Sequence, residues 1–235
     1  MKLMKINKIT GEIFCLSNLH IGGSKDSIGI GFMDNPVIKH PITSEPYIPG
    51  SSIKGRMRCN MERRLGRYKT VVKKDEHGIE TKEIRHEPCS CGSCLVCKTF
   101  GSMSKNADSP TRLIVRDAYL TEDSKAKNRD IMDEKGINIY GVKYETAIDR
   151  KTGAALGGSL RPIEYVPSET AFNLEMKLQI FDIDNEDEII SFVKRALKSL
   201  EETYIGGMGS RGYGQVKLRN LRLNGEPFDL ESVNF

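Results

Sequence analysis

Apolar and polar residues alternate regularly over 172–180, and this two-residue period is typical of a half-buried strand. After an acidic stretch at 186–188, the apolar residues of 189–200 recur at helical spacing, which predicts an amphipathic helix. Another helix is predicted over 51–66, where a single apolar stripe is formed by Ile53, Met57, Met61 and Leu65.

The other predicted elements complete an α+β order. Residues 2–16 are predicted to form a strand or hairpin, residues 113–119 a strand and residues 214–223 a final strand. Strand, helix, strands, helix, strand is the order of a ferredoxin-like βαββαβ core, and we expect it within a single domain, 1–235. Two stretches are too long for simple connections and are interpreted as insertions: about 68–111 and about 121–168.

The composition indicates a soluble globular protein, since 38% of the 235 residues are hydrophobic. No apolar stretch is long enough for a bilayer, and the first residues lack the apolar core of a signal peptide. We therefore expect a cytoplasmic protein without a membrane partner. The net charge is only +4, but cations cluster in 49–74 and 206–222. These blocks indicate either a local track for a polyanion or solvated faces of structural elements.

The beginning of the first predicted helix has the residues of a phosphate-binding site. The hydroxyls of Ser51 and Ser52 can cap the helix, and Lys54 and Arg58 lie four residues apart on one face. Free backbone amides and the helix dipole favour an anion at such a terminus. The alternative is a helix start with a solvated basic face.

A histidine and four cysteines within twelve residues form the strongest local motif. His86, Cys89, Cys91, Cys94 and Cys97 have the short spacings of a tetrahedral zinc site. Only four of the five donors are needed, so the ligands are either His86, Cys89, Cys94 and Cys97 or the four cysteines. A disulfide is disfavoured in a cytoplasmic chain, and the pattern of the zinc deaminases is not met. We expect a structural zinc ion.

The glycine-rich run 206–214 formally contains the G-x-G-x-x-G pattern of dinucleotide-binding folds. That pattern requires a strand before it and a helix after it, whereas here the order is reversed. The glycines instead allow a close approach of the backbone to a ligand, with Arg211 at the centre. A glycine-rich hairpin without a ligand is the alternative.

Asp34 lies in a long glycine- and proline-rich loop, 22–48. Loops of this length in compact domains are usually functional or disordered. Taken alone, Asp34 is most simply a turn residue, because Asp-Asn-Pro favours turns. Close to a phosphate-binding helix, its carboxylate can also hold a divalent metal at a phosphate or orient a 2′-hydroxyl. No histidine has comparably suggestive surroundings.

Four blocks of the chain, in the same order, resemble the RAMP-superfamily backbone subunit of type III-A CRISPR (Csm) effector complexes. The blocks extend over nearly the whole chain, from residue 21 to about residue 216. They are residues 34–58, the cysteine-rich insertion ending in Phe100-Gly101-Ser102, residues 143–153 and residues 206–214.

The resemblance implies an RRM-like palm with a zinc-binding insertion and a thumb hairpin within about 130–165. It implies partners: CRISPR RNA, target RNA, further copies in a filament, and other Csm subunits. It also implies endoribonuclease activity that requires Mg²⁺ or another divalent cation, with Asp34 as the catalytic residue. Asp117, Glu145 and Asp149 are weaker candidates for supporting carboxylates.

The RNA contacts expected from the resemblance lie in three places: the helix start, the glycine-rich run and the thumb. The expected residues are Ser51, Ser52, Lys54, Arg56, Arg58, Gly209, Ser210, Arg211, Ile148 and Arg150. The main alternative is a non-catalytic RNA-binding scaffold of a related RAMP complex. A further alternative is a zinc-containing nucleic-acid-binding module unrelated to CRISPR.

Overall fold

The computed structural model describes residues 1–23, 35–74, 80–102, 109–136 and 139–231. Its strands, in chain order, are β1 (Leu3–Cys15), β2 (Tyr47–Ile48), β3 (Tyr68–Lys74), β4 (Glu80–Pro88), β5 (Leu113–Val115), β6 (Ala118–Tyr119), β7 (Gly141–Glu145), β8 (Arg161–Tyr165), β9 (Ala171–Phe181), β10 (Val216–Leu223) and β11 (Glu226–Pro227). Its helices are α1 (Gly50–Arg64), α2 (Leu95–Phe100), α3 (Glu122–Lys135) and α4 (Glu186–Glu202). The predicted α+β class is confirmed.

Five strands form the central sheet, in the order β11-β10-β1-β9-β5, and all neighbouring pairs are antiparallel. Residues 2–16, predicted as a strand or hairpin, form the single strand β1, which pairs with β9 along nearly its whole length. Phe172, Leu174, Met176, Leu178 and Ile180 are buried, so the alternation seen in the sequence corresponds to the core face of β9.

Helices α1 and α4 pack together against this sheet and complete its core. On α1, Ile53, Met57 and Met61 are at most 1% exposed. The fourth residue of the predicted stripe, Leu65, is 46% exposed, because the helix ends at Arg64 and Leu65 is its C-terminal cap. The predicted helix at 189–200 is α4, which begins where the side chain of Asn185 accepts a hydrogen bond from the Glu188 amide.

The two long stretches between core elements carry secondary structure of their own. The first contains the hairpin β3–β4 and helix α2 with the cysteines. The second contains α3 and the hairpin β7–β8. The single strand predicted at 113–119 is divided into β5, which pairs with β9, and β6, which pairs with β2.

Helix α3 was not predicted, because its sequence is mostly charged and has no apolar stripe. Its boundaries nevertheless carry ordinary signals. The Thr121 hydroxyl accepts a hydrogen bond from the Ser124 amide, and Gly136 ends the helix in the left-handed region at φ 63°. Among the described residues, no helix has both the length and the apolar character needed to cross a membrane.

Candidate functional site

Helix α1 begins at Gly50 rather than at a serine cap. Pro49 is the N-cap residue, and no side chain of the cap accepts a hydrogen bond, so the prediction that Ser51 or Ser52 caps the helix is wrong. The Gly50 amide instead donates to Oδ1 of Asp117 at 2.8 Å. Because the helix begins earlier than predicted, both serines lie in its first turn, where Ser51 is exposed.

Lys54 and Arg58, the two cations of α1 predicted to share one face, have different environments. Lys54 is half-buried, and burial together with the neighbouring Arg58 guanidinium lowers the pKa of Lys54. Arg58 points inward: its Nε donates to Oε1 of Glu62 and its Nη2 donates to the carbonyl of Cys89. Lys54 and Arg58 therefore lie on one face, as predicted, but Arg58 is engaged within the protein.

Arg56 links α1 to the glycine-rich run, and it does so beside the aromatic ring of Tyr204. Tyr204 was not singled out from the sequence. The Arg56 guanidinium lies 4.0 Å from the ring centroid of Tyr204, and its Nη2 donates to the Gly206 carbonyl at 3.1 Å. Gly209 also packs on Tyr204, since a Cβ there would lie 2.1 Å from ring carbons. The only sequence signal for Tyr204 is its position just before the glycines.

The glycine-rich run presents its polar residues outward. A 3₁₀ turn at Gly209–Arg211 leaves Ser210 and Arg211 exposed, and the Arg211 guanidinium pairs with the carboxylate of Glu145 on β7. Gly206, at φ 79°, packs so tightly that a Cβ would lie 2.3 Å from the His20 carbonyl oxygen. The glycine-rich run is therefore attached to α1 by the hydrogen bond from Arg56 to Gly206 and to β7 by the ion pair of Arg211 with Glu145.

The predicted catalytic residue Asp34 lies outside the described residues, but the chain that follows it is well defined. The carbonyl of Asn35 accepts a hydrogen bond from the Glu164 amide at 3.2 Å. The Glu164 carboxylate accepts two more, from the Val37 amide at 2.9 Å and from Nζ of Lys39 at 2.8 Å. The segment directly after Asp34 is thus fixed to β8 by a buried carboxylate that the sequence analysis did not single out.

His20 connects this segment to the glycine-rich run. Its Nδ1 lies 2.7 Å from the Glu164 carbonyl oxygen, and its own carbonyl accepts a hydrogen bond from the Gly207 amide at 2.9 Å. Because a carbonyl can only accept, Nδ1 carries the proton. His20 was not singled out from the sequence, yet it is only 6% exposed and lies where the two loops meet.

We expect replacement of Glu164 by alanine to lower the free energy of unfolding by about 1–3 kcal/mol, because buried partners would lose their acceptor. The residues left without it are Val37 and Lys39. Chemical denaturation measures the effect. Glu134→Ala, at an exposed position of α3, is the control and should change stability by less than about 0.5 kcal/mol. If Glu164→Ala were as stable as Glu134→Ala, the role of Glu164 as the acceptor that stabilises this segment would be contradicted.

The hairpin β7–β8 and the loop at its tip expose several large apolar side chains. Asp149 closes the tip by accepting hydrogen bonds from the amides of Thr152 and Lys151 and from the Thr152 hydroxyl, which lower the pKa of Asp149. Arg150 is exposed. An exposed apolar group of this kind is typical of an interaction surface. The apolar residues are between 41% and 62% exposed: Val142, Tyr144, Ile148, Leu156 and Leu160.

The four sulfurs of Cys89, Cys91, Cys94 and Cys97 lie within 4.8 Å of one another. The Sγ atoms of Cys89 and Cys94 are 3.8 Å apart, and those of Cys91 and Cys97 are 3.9 Å apart. Tetrahedral zinc with Zn–S bonds of about 2.3 Å requires sulfurs about 3.8 Å apart. The amides of Cys94 and Cys97 also donate to sulfurs within the group. These residues fit a zinc ion.

His86, a member of one predicted zinc-ligand set, is not part of this group. Its Nδ1 lies 3.2 Å from the Thr70 hydroxyl, and its ring packs edge-on against Tyr68. The alternative ligand set with His86 does not match this geometry, because β3 and β4 pair Thr70 with His86 and the ring belongs to the hairpin. The set compatible with the structure is the all-cysteine one.

Comparisons with known proteins identify the family. The model of the RAMP superfamily matches residues 12–217. A protein named CRISPR system Cms endoribonuclease Csm3 from Methanothermobacter thermautotrophicus is 36% identical over 242 residues, covering 97% of this chain and 90% of that protein. A protein of the same name from Methanocaldococcus jannaschii is 37% identical over 220 residues, covering 93% of this chain and 81% of its own length.

Among solved structures, a Csm3–Csm4 subcomplex of the type III-A CRISPR-Cas interference complex is similar over 95% of this chain and 80% of the matched chain. The TM-score is 0.58 and the sequence identity 26%. The resemblance inferred from the four sequence blocks is confirmed. The chain belongs to the RAMP superfamily and, within it, to the family of the Csm3 proteins.

Proposed function

We propose that this chain is a CRISPR RNA-binding backbone subunit of a type III-A interference complex, and that it cleaves target RNA complementary to the guide. Relatives named as endoribonucleases support the activity. One observation in the structure supports the site most strongly: α1, the glycine-rich run and the segment after Asp34 meet around Tyr204, His20 and Glu164. The two basic segments, α1 and the glycine-rich run, therefore lie next to the segment that follows Asp34.

The order of strands supports a ferredoxin-like palm. α1 lies in the chain between β1 and β5, and β9 lies between these two strands in the sheet. Likewise, α4 connects β9 to β10, and β1 lies between them. Two such split βαβ units make the βαββαβ fold. On this palm, the stretch with the cysteines is a zinc-binding insertion and the hairpin β7–β8 is the thumb.

Guide binding would use phosphate contacts from α1 and the glycine-rich run. The first turn of α1 offers the hydroxyls of Ser51 and Ser52, and Lys54 and Arg56 add charge beside them. Arg211 and its neighbours Gly209 and Ser210 would contact the same strand from the opposite loop. The exposed apolar residues around Ile148, with Arg150 beside them, would wedge into the guide–target duplex.

Cleavage would proceed through the 2′-hydroxyl of the target strand. The 2′-oxygen attacks the adjacent phosphorus as its proton passes to water, and the bond to the 5′-oxygen of the next nucleotide breaks as that oxygen takes up a proton from water. Asp34 would orient this hydroxyl or hold the divalent cation at the phosphate. Mg²⁺ or another divalent cation supplies charge stabilisation at the phosphate oxygens when bound. Glu164 and His20 would keep the surrounding loops in position.

The four cysteines would hold a structural zinc ion. Bound zinc contributes folding free energy because the unfolded chain has no preformed site. α2 begins immediately after Cys94 and buries Val96 and Phe100 in the core. The ion would therefore fix the insertion to the palm and take no part in cleavage.

We expect guide binding to weaken steeply with salt and to depend little on guide sequence, because phosphates are the main contacts. For single-stranded RNA, each phosphate contact contributes a slope of about 0.7 in the plot of log affinity against log salt concentration. Lys54→Gln and Arg56→Gln should each reduce the slope by about that amount. Fluorescence anisotropy with a labelled guide measures it. Arg63→Gln, an exposed cation further along α1, should leave the slope unchanged; equal slopes in all variants would contradict these contacts.

The proposed activity is tested with the reconstituted complex, a guide RNA and Mg²⁺. RNA complementary to the guide should be cleaved and non-complementary RNA should remain intact. A complex that binds the guide and its target but cleaves neither RNA would instead support the non-catalytic scaffold.

A further inference from the structure

The cysteine group is joined to α1 through the main chain of Cys89. The amide of Cys89 donates to Oε1 of Glu62 at 3.0 Å, and the carbonyl of Cys89 accepts a hydrogen bond from Nη2 of Arg58 at 2.7 Å. Both polar main-chain atoms of this one cysteine are therefore bound by side chains of α1, which lie one helical turn apart.

These two side chains also bind each other. Nε of Arg58 donates to Oε1 of Glu62 at 2.8 Å, and the side chains are 17% and 8% exposed. The three hydrogen bonds close a ring of Arg58, Glu62 and the Cys89 peptide atoms. Hydrogen bonds to charged groups are stronger than neutral ones, and limited access of water preserves them.

Cys89 needs such support more than Cys94 and Cys97 do. It follows directly after β4, whereas Cys94 and Cys97 belong to the start of α2 and are fixed by that helix. Without the contacts to α1, the sulfur of Cys89 would be free to move with the hairpin β3–β4.

We propose that Arg58 and Glu62 are the positioning residues of the cysteine metal site and link its occupancy to the geometry of α1. This inference rests on the zinc site of the proposed function. Groups that orient metal ligands typically change metal affinity 10- to 100-fold when they are removed. Arg58 then serves chiefly to hold Cys89, and Lys54 and Arg56 remain on α1 to contact RNA.

The link has a consequence for RNA binding. If zinc stabilises the arrangement of α1 that binds the guide, the guide must raise the affinity for zinc by the same factor.

The test measures zinc affinity of the full chain by competition with a chromophoric chelator. Arg58→Ala and Glu62→Ala should each weaken zinc binding by about 10- to 100-fold. Glu62→Gln, which keeps an oxygen to accept from the Cys89 amide, should be affected less. Arg63→Ala removes an exposed cation from the same helix and should match the wild type. In every variant, the absorption bands of Co²⁺ bound to the same site should be those of a four-thiolate complex.

The outcomes separate this inference from the proposed function. A wild-type chain that binds no zinc would contradict the metal site itself, and this inference with it. A wild-type chain that binds zinc, together with Arg58 and Glu62 variants whose affinities lie within about twofold of it, would overturn the positioning role alone. Thermal unfolding of the metal-free variants distinguishes a specific loss of zinc affinity from a general loss of stability. A general loss of stability would lower the unfolding temperature even without zinc.

Discussion

Replacing Asp34 by alanine is expected to reduce target-RNA cleavage by the assembled complex on the order of 10²- to 10⁴-fold, because the 2′-hydroxyl would lose the carboxylate that orients it or holds the divalent cation beside it. Guide binding should be unchanged, because the proposed phosphate contacts lie on α1 and in the glycine-rich run. Single-turnover cleavage of a labelled complementary RNA with Mg²⁺ measures the rate, and anisotropy with the guide measures binding.

Two variants sharpen this result. Asp34→Asn keeps the size of the side chain but removes its charge, and it should be nearly as defective as the alanine variant. Asp130→Ala, at an exposed position of α3, removes a carboxylate remote from the proposed site and should cleave normally. A wild-type rate for Asp34→Ala would remove Asp34 from the mechanism.

Replacing Cys97 by serine is expected to abolish stoichiometric zinc binding and to destabilise the insertion. Cys97 is buried, and the helix it belongs to inserts Val96 and Phe100 into the core. Structural zinc contributes about 10–16 kcal/mol in isolated zinc-finger peptides, and that value is an upper bound here because the palm has a core of its own.

Metal content by mass spectrometry and thermal unfolding measure these effects. Cys59→Ser is the matched control, since Cys59 is a half-buried free thiol outside the group, and it should retain zinc. Zinc at wild-type stoichiometry in Cys97→Ser would contradict the four-cysteine site.

The sequence predicted the elements whose burial follows a simple period. β9 and α4 have a clean alternation and a clean helical stripe, and both were found close to the predicted bounds. α3 was not predicted, because a helix of mostly charged residues has no stripe to detect. Its Thr121 cap and Gly136 terminator were the available signals.

The candidate site was predictable only where its residues are close in sequence. The four cysteines and the start of α1 each lie within a short segment, so spacing alone indicated their proximity. Glu164 is 127 residues from Val37, and Tyr204 approaches Arg56 only because α1 packs beside the glycine-rich run. Such contacts depend on strand order and loop packing, which no local pattern encodes.

The two ligand sets left open by the sequence, with and without His86, show the same limit. The distance of His86 along the chain from Cys89 is suitable for a zinc ligand. β4, however, pairs His86 with Thr70 in the hairpin, and His86 is not among the residues whose ligand atoms cluster with the sulfurs. Spacing predicts which residues are near one another along the chain, whereas the direction of a side chain depends on the strand that holds it.

We propose that copies of this chain stack along a guide RNA and that each copy cleaves the paired target. The most direct measurement is the length of the products when the guide-loaded complex cleaves one end-labelled complementary RNA with Mg²⁺. We predict a ladder with a constant step between cleavage positions, which disappears as a whole in complexes assembled with Asp34→Ala. A single product, irregular spacing or a ladder that persists in the Asp34→Ala complex would contradict the account.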